Sequence, residues 1–237
     1  MNYKTQTILG FEILNSSYAK FRESVNKGAV LTISPNSFGI STKNENFRNA
    51  LQSSEILVLD GVYFALNYFL RTGKTIVKNQ GPDIFYEELK IQNKLFGKVF
   101  FLGASKNTLE KIRIRLNKEY PNINSLFHSP PFKEKLSKND NTKIYSMIDK
   151  FKPSVVFVGM TCPKQEIWIH ENKNKYPNTL FLAIGGVFDW YAGNYKELNP
   201  IWWKLRLGWL GRSIQRPDLL RRNIPNIWIY FKNILKK

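Results

Sequence analysis

Short apolar runs, each followed by a polar or glycine-rich turn and then by a stretch with helical spacing, recur along most of this chain. The runs predict strands at Ala29–Ile33, Glu55–Leu59, Lys98–Leu102, Ile123–Phe127, Ser154–Val158 and Thr179–Ile184. Between them the spacing predicts helices around Asn36–Ser53, Val62–Arg71, Pro82–Asn93, Ser105–Tyr120, Thr142–Phe151 and Pro163–Lys175. Runs such as ILVL, VFFL, VVFV and LFLAI lack the alternation of a strand with one wet face. The expected fold is therefore α/β: a largely parallel, Rossmann-like sheet with helices on both faces.

The pattern changes after about Asn199. The last stretch, IWWKLRLGWLGRSIQRPDLLRRNIPNIWIYFKNILKK, is dense in Trp, Arg and Lys, and Asp218 is its only acid. Pro217 and Pro225 are expected to divide it into short helical pieces, because proline breaks the hydrogen-bond ladder. Ile227, Tyr230, Phe231 and Ile234 fall on one helical stripe flanked by Lys232, Lys236 and Lys237. A basic, amphipathic, Trp/Tyr-bearing helix suits a membrane interface; packing on the sheet is the other reading. The expected organisation is an α/β core over residues 1–198 and a basic membrane-associating appendage over 199–237.

Composition narrows the partners. The formal charge is +18, from 36 Lys and Arg against 18 Asp and Glu. Such an excess attracts a polyanion: nucleic acid, an anionic membrane surface or a diphosphate substrate. The single cysteine, Cys162, excludes an internal disulfide. The N-terminal residues lack a secretory signal's apolar core, and no window approaches the ~18–20 apolar residues of a membrane span. The expected location is cytoplasmic and peripheral. Oligomeric state is not readable from the sequence.

The candidate chemistry clusters after predicted strands, where open α/β sheets place their ligands. In VVFVGMTCPKQEIW the apolar run ends at Gly159, and the loop then delivers Thr161, Lys164, Gln165 and Glu166, a polar set suited to sugars and phosphates. Asp60 follows EILVL directly; a carboxylate there can act as a general base or can cap the next helix. Ser34-Pro35-Asn36 offers a hydroxyl and an amide, or an N-cap. Gly81 opens a helix in Gly81-Pro82-Asp83. Gly103, and Gly185 with Gly186 ahead of Asp189, allow close backbone approach to a ligand or simply supply turns. None of these glycines forms GxGxxG or a P-loop. No Asp-x-Asp follows a strand and His128 and His170 are far apart, so no metal site and no cofactor is expected. Cys162 has no histidine beside it and is expected to be a bystander.

In order along the chain, these loops resemble the WecG/TagA/CpsF family of bacterial glycosyltransferases (glycosyltransferase family 26). The family's Thr-x-Asn appears as Ser34-Pro35-Asn36, its Asp-Gly as Asp60-Gly61, and its Gly-x-Asp as Gly81-Pro82-Asp83. FLLGA is matched by Phe100–Ala104, and VGxGxPKQE.W by Val158–Trp168. GVGGxFD.xAG corresponds to Ala183–Gly193, and the tail pattern LEWLYRLxQEP to Leu207–Pro217. Lys78 stands where the family commonly has Arg, which exchanges a forked donor for a point charge.

The resemblance implies an inverting transfer from a UDP-sugar to a sugar on undecaprenyl diphosphate, in cell-envelope or capsular polysaccharide assembly. The donor sugar would be N-acetylmannosamine, its uronic acid or a glucose type. Asp60 would be the general base. Ser34, Asn36 and Gln165 would hold donor or acceptor, with Lys78, Gly81, Gly103, Gly159, Lys164, Gly185, Gly186 and Asp189 lining the site. Arg212, Arg221 and Arg222 would engage diphosphate at the inner face of the cytoplasmic membrane. The alternatives are a nucleic-acid-binding protein, suggested by charge and aromatics but lacking a recognised motif, and a silent scaffold of a polysaccharide-assembly complex.

Overall fold

The computed structural model describes residues 3–77, 79–195 and 217–235. Eight strands form one sheet: β1 (Thr5–Ile8), β2 (Phe11–Leu14), β3 (Gly28–Ile33), β4 (Ile56–Leu59), β5 (Lys98–Gly103), β6 (Asn124–His128), β7 (Val155–Gly159) and β8 (Leu180–Ala183). Their spatial order is β1-β2-β4-β3-β8-β7-β5-β6, and only β1–β2 is antiparallel. The helices are α1 (Tyr18–Arg22), α2 (Pro35–Ser41), α3 (Glu45–Gln52), α4 (Tyr63–Thr72), α5 (Gly81–Lys94), α6 (Lys106–Glu119), α7 (Lys138–Phe151), α8 (Lys164–Asn172), α9 (Val187–Tyr191) and α10 (Pro217–Leu235).

Successive strand residues feed two separate cores. Ala29, Leu31 and Ile33 pack on one face with α2, α3 and α8, whereas Val30 turns to the face covered by α1, α5, α6 and α9. Burial on both sides explains why β4, β5 and β7 read as continuous apolar runs. The expected parallel α/β sheet is thus the observed one, with strand limits displaced by a residue or so.

Several features differ from expectation, among them the short helices α1 and α9, which have no predicted counterpart. The edge hairpin β1–β2 has no counterpart among the predicted strands; it turns at Leu9-Gly10, both with positive φ. The stretch Asn36–Ser53 is two helices, because Asn44 caps α3 by accepting from the Phe47 N–H at 2.9 Å. Pro225 lies inside α10 and does not divide it. Tertiary packing outweighs the lost hydrogen bond there. Tyr230 is fully buried against Phe38 and Phe64, with ring centroids 5.6 and 4.7 Å away. A Cβ on Gly39 of α2 would collide with the Asn226 backbone, so glycine is what lets α10 lie this close. Residues 199–216 of the expected appendage fall outside the described residues.

Candidate active site

The loops that leave β3, β4, β5, β6, β7 and β8 line a single crevice of about 1000 Å³ at the carboxyl edge of the sheet, and α10 contributes Asp218, Arg222 and Asn223 to its wall. The volume lies at the upper end of the usual range for small-molecule sites. Twelve of the sequence-predicted residues meet here: Ser34, Asn36, Asp60, Gly81, Gly103, Gly159, Lys164, Gln165, Gly185, Gly186, Asp189 and Arg222. Arg221 is exposed and does not line the crevice. Lys78 and Arg212 lie outside the described residues.

Asp60 is placed by the sheet itself. Its N–H donates to the Ile33 carbonyl at 2.9 Å, extending the β3–β4 ladder by one residue and holding the side chain at the crevice. The carboxylate makes no hydrogen bond or ion pair among the described residues, and it is not the cap of α4, whose N-cap is Val62. Ser34 does act as a cap. Its Oγ accepts from the Ser37 N–H at 3.2 Å, and Ser37 Oγ accepts from the Ser34 N–H at 2.6 Å. Asn36 Oδ1 accepts from Asn226 Nδ2 at 3.1 Å, tying α2 to α10 beside the crevice.

Several expected ligand contacts prove to have internal partners. Gln165 is buried; its Oε1 accepts from the Gly185 N–H at 3.1 Å and its Nε2 donates to Glu166 Oε1 at 2.8 Å. It therefore fixes the Gly185–Gly186 turn. Asp189 accepts from Asn194 Nδ2 at 2.9 Å and from Thr108 Oγ1 at 3.3 Å. Lys164 donates to the Lys133 carbonyl at 2.7 Å, anchoring the Ser129–Phe132 rim, and burial lowers its pKa. Gly103 has φ +121°, and a Cβ there would sit 2.5 Å from the Gly159 carbonyl oxygen. On Gly159 a Cβ would run into the Phe188 ring. Close approach of β5, β7 and α9 accounts for these two glycines.

Glu166 is the group whose importance the sequence does not reveal. It is fully buried at the crevice wall, and among the described residues no hydrogen-bond donor of ordinary geometry reaches its Oε2. Burial is the main cause that pushes its carboxyl up to about 7; the Gln165 amide and the nearby Cys162 thiol act in the opposite sense. The Cys162 thiol is itself raised well above its ordinary range by burial and by Glu166, and only partly drawn back by Arg222. At neutral pH it is therefore a poor nucleophile. Ser105, Lys106, Ser129, Trp190 and Asn223 also line the crevice, and none of them is among the candidate residues read from the sequence. Among the described residues, no three His, Cys, Asp or Glu side chains gather as a metal site. No helix of the described residues is long and apolar enough to cross a membrane.

Comparison with known proteins matches residues 6–237 to the glycosyl transferase WecG/TagA/CpsF family. A Bacillus subtilis (strain 168) protein named N-acetylglucosaminyldiphosphoundecaprenol N-acetyl-beta-D-mannosaminyltransferase is 28% identical over 243 residues, which cover 99% of this chain and 92% of that protein. A Staphylococcus aureus (strain NCTC 8325 / PS 47) protein of the same name is 28% identical over 192 residues, covering 81% and 74% respectively.

Proposed function

The chain belongs to the WecG/TagA/CpsF family of glycosyl transferases, and from that premise we propose that it moves a sugar from a UDP-linked donor to a sugar on a polyprenyl diphosphate, with inversion. Membership directs the choice left open by composition towards an enzyme. The names carried by the two relatives support N-acetylmannosamine as the sugar moved and N-acetylglucosaminyl-diphospho-undecaprenol as the acceptor. The observation that carries the reading is that Asp60, whose carboxylate has no partner among the described residues, and the cationic Arg222 line one crevice.

In the proposed reaction the acceptor hydroxyl oxygen attacks the anomeric carbon from the face opposite UDP. Its proton passes to the Asp60 carboxylate, and the bond from the anomeric carbon to the β-phosphate oxygen breaks, leaving its electron pair on UDP. Arg222 offsets the negative charge gathering on the departing diphosphate, as a preorganised cation does wherever charge develops. Ser34, Asn36 and the Gly185–Gly186 turn shape the wall against which the sugars orient. The protein then works peripherally at the inner face of the cytoplasmic membrane, where a lipid-linked head group lies.

The test is a panel of UDP-sugars incubated with a short-chain polyprenyl-diphosphate-N-acetylglucosamine, read by UDP release and product mass. The expected result is an acceptor heavier by one N-acetylhexosamine with the N-acetylmannosamine donor. Absence of transfer from every UDP-sugar would overturn the proposal.

A further inference from the structure

Glu166 stands at the crevice wall without a part in the transfer itself. It is 1% exposed and its Oε2 is enclosed, so a ligand in the crevice does not reach that oxygen. A buried carboxyl must be neutralised or paired, and whatever this one contributes passes through its neighbours.

Those neighbours form a short relay. Glu166 Oε1 accepts from Gln165 Nε2 at 2.8 Å, and Gln165 Oε1 accepts from the Gly185 N–H at 3.1 Å. Gln165 is itself buried, so each end of its amide needs a partner inside the protein. The Gly185 N–H requires the amide oxygen, and Glu166 takes the amide nitrogen. A neutral carboxyl suits this place. Below about 7 Glu166 keeps its proton, and with Oε1 engaged as acceptor the proton belongs on Oε2. That is the oxygen which no donor of ordinary geometry reaches among the described residues, as befits a hydroxyl.

The relay ends on bare backbone. Gly185 has φ +50°, a conformation that favours glycine. Gly186 has no such reason. Its φ is −68°, open to any residue, and a Cβ there would meet nothing within 4 Å among the described residues beyond its chain neighbours. It nevertheless lines the crevice, together with Asp60 and Arg222. A glycine that neither conformation nor packing requires leaves room for a ligand to lie against the backbone.

We propose that Glu166 is a positioning residue of the transfer: through Gln165 it holds the Gly185–Gly186 turn in the form that receives a substrate sugar. This deepens the functional reading above and rests on it for the substrates. Glu166 touches neither sugar, and Asp60 stands at the end of a different strand, so the proton transfer there does not depend on the relay.

The test compares the full chain with Glu166→Met, which fills similar space without an acceptor, and with Glu166→Gln, which restores one. With the N-acetylmannosamine donor and the short-chain acceptor, Glu166→Met should raise KM for one of the two substrates about tenfold and leave kcat within about threefold. Glu166→Gln should bring that KM back to within about threefold of the parent. Gln165→Ala should raise the same KM, and adding Glu166→Met to it should cost less than about a further twofold, because both changes break one relay. Gly186→Ala should raise that KM as well, with the thermal unfolding midpoint unmoved; its methyl enters open space, so this variant folds whatever becomes of the others. Hydrogen exchange of the peptide holding Gly185 should quicken in Glu166→Met and Gln165→Ala but not in Glu166→Gln. An unmoved KM in Glu166→Met, no recovery in Glu166→Gln, independent losses in the double variant, or equal exchange in all would overturn the relay. An unmoved KM in Gly186→Ala would remove the turn from the substrate. A parent that transfers no sugar from any UDP-sugar would overturn the functional reading and the substrate role of the turn, and exchange would still decide the relay.

Discussion

Glu166→Gln isolates the energetic burden of one buried carboxylate. Glu166 holds its proton up to about 7 in the folded protein, against 4.5 for the ordinary side chain. Each pH unit of that gap corresponds to about 1.4 kcal/mol, so full ionisation costs the folded state about 3 kcal/mol. The direction follows from proton counting. Between 4.5 and about 7 the native state keeps a proton that the unfolded chain has released. Stability is therefore greatest below the unfolded value and falls as pH rises through the folded one, then levels off. Glutamine has nearly the same shape, can still accept from Gln165 Nε2, and cannot ionise. Packing differences between the two proteins are the same at every pH, so the informative quantity is how their stability difference changes. Denaturant unfolding at pH 4.5 and at about pH 8 should show the variant gaining about 3 kcal/mol on the parent over that interval. In thermal scans, the gain is roughly 6–12 °C for a chain of this size. Parallel stability curves for the two proteins would refute the assignment of a neutral carboxyl at this position.

Asp60→Asn should fold normally and bind donor, yet lose about 10²–10⁴-fold in turnover if its carboxylate takes the acceptor proton; near-normal turnover would remove it from that role. Gly39→Ala should favour α2 locally by about 0.5–1 kcal/mol. Its methyl nevertheless meets the Asn226 backbone, which has no room to yield, so α10 should lift away. Limited trypsin digestion should then cut at Arg221 and Arg222 with the sheet intact, and resistance equal to the parent would contradict the fit. Cys162→Ser should keep turnover within about threefold, and iodoacetamide should label the parent more slowly than free cysteine. A large loss of activity in the serine variant would return the thiol to the mechanism.

The sheet was legible because burial on both faces leaves an unmistakable trace: ILVL, VFFL and VVFV carry no polar interruption, and each is followed by a turn. The hairpin was not, since TQTI and FEIL are short edge strands whose turn, Leu9-Gly10, lacks the usual Asn-Gly or Asp-Gly signal. Pro225 misled because a local rule was applied where a tertiary contact, Tyr230 between Phe38 and Phe64, decides the outcome. Site positions were legible to the extent that strand ends dictate them, which places Asp60, Ser34 and Gln165. What the sequence withheld was hydrogen-bond commitment. It cannot tell that Gln165 spends its oxygen on Gly185, or that one oxygen of Glu166 has no donor among the described residues, because both depend on which loops meet across the crevice.

Helix α2 carries two contacts whose joint effect reaches beyond packing. Asn36, at the crevice, accepts from Asn226, and Gly39, one turn on, admits the backbone of the same residue. Because Arg222 rides on the helix that these contacts hold, this part of the crevice wall is in place only while α10 is docked. Any ligand held by both Arg222 and the core must tighten the hold of α10 on α2 by the same factor that docking of α10 tightens the ligand. On the proposed role of Arg222, the C-terminal helix is a thermodynamic partner of the substrate, and its attachment should respond to substrate concentration as well as to mutation.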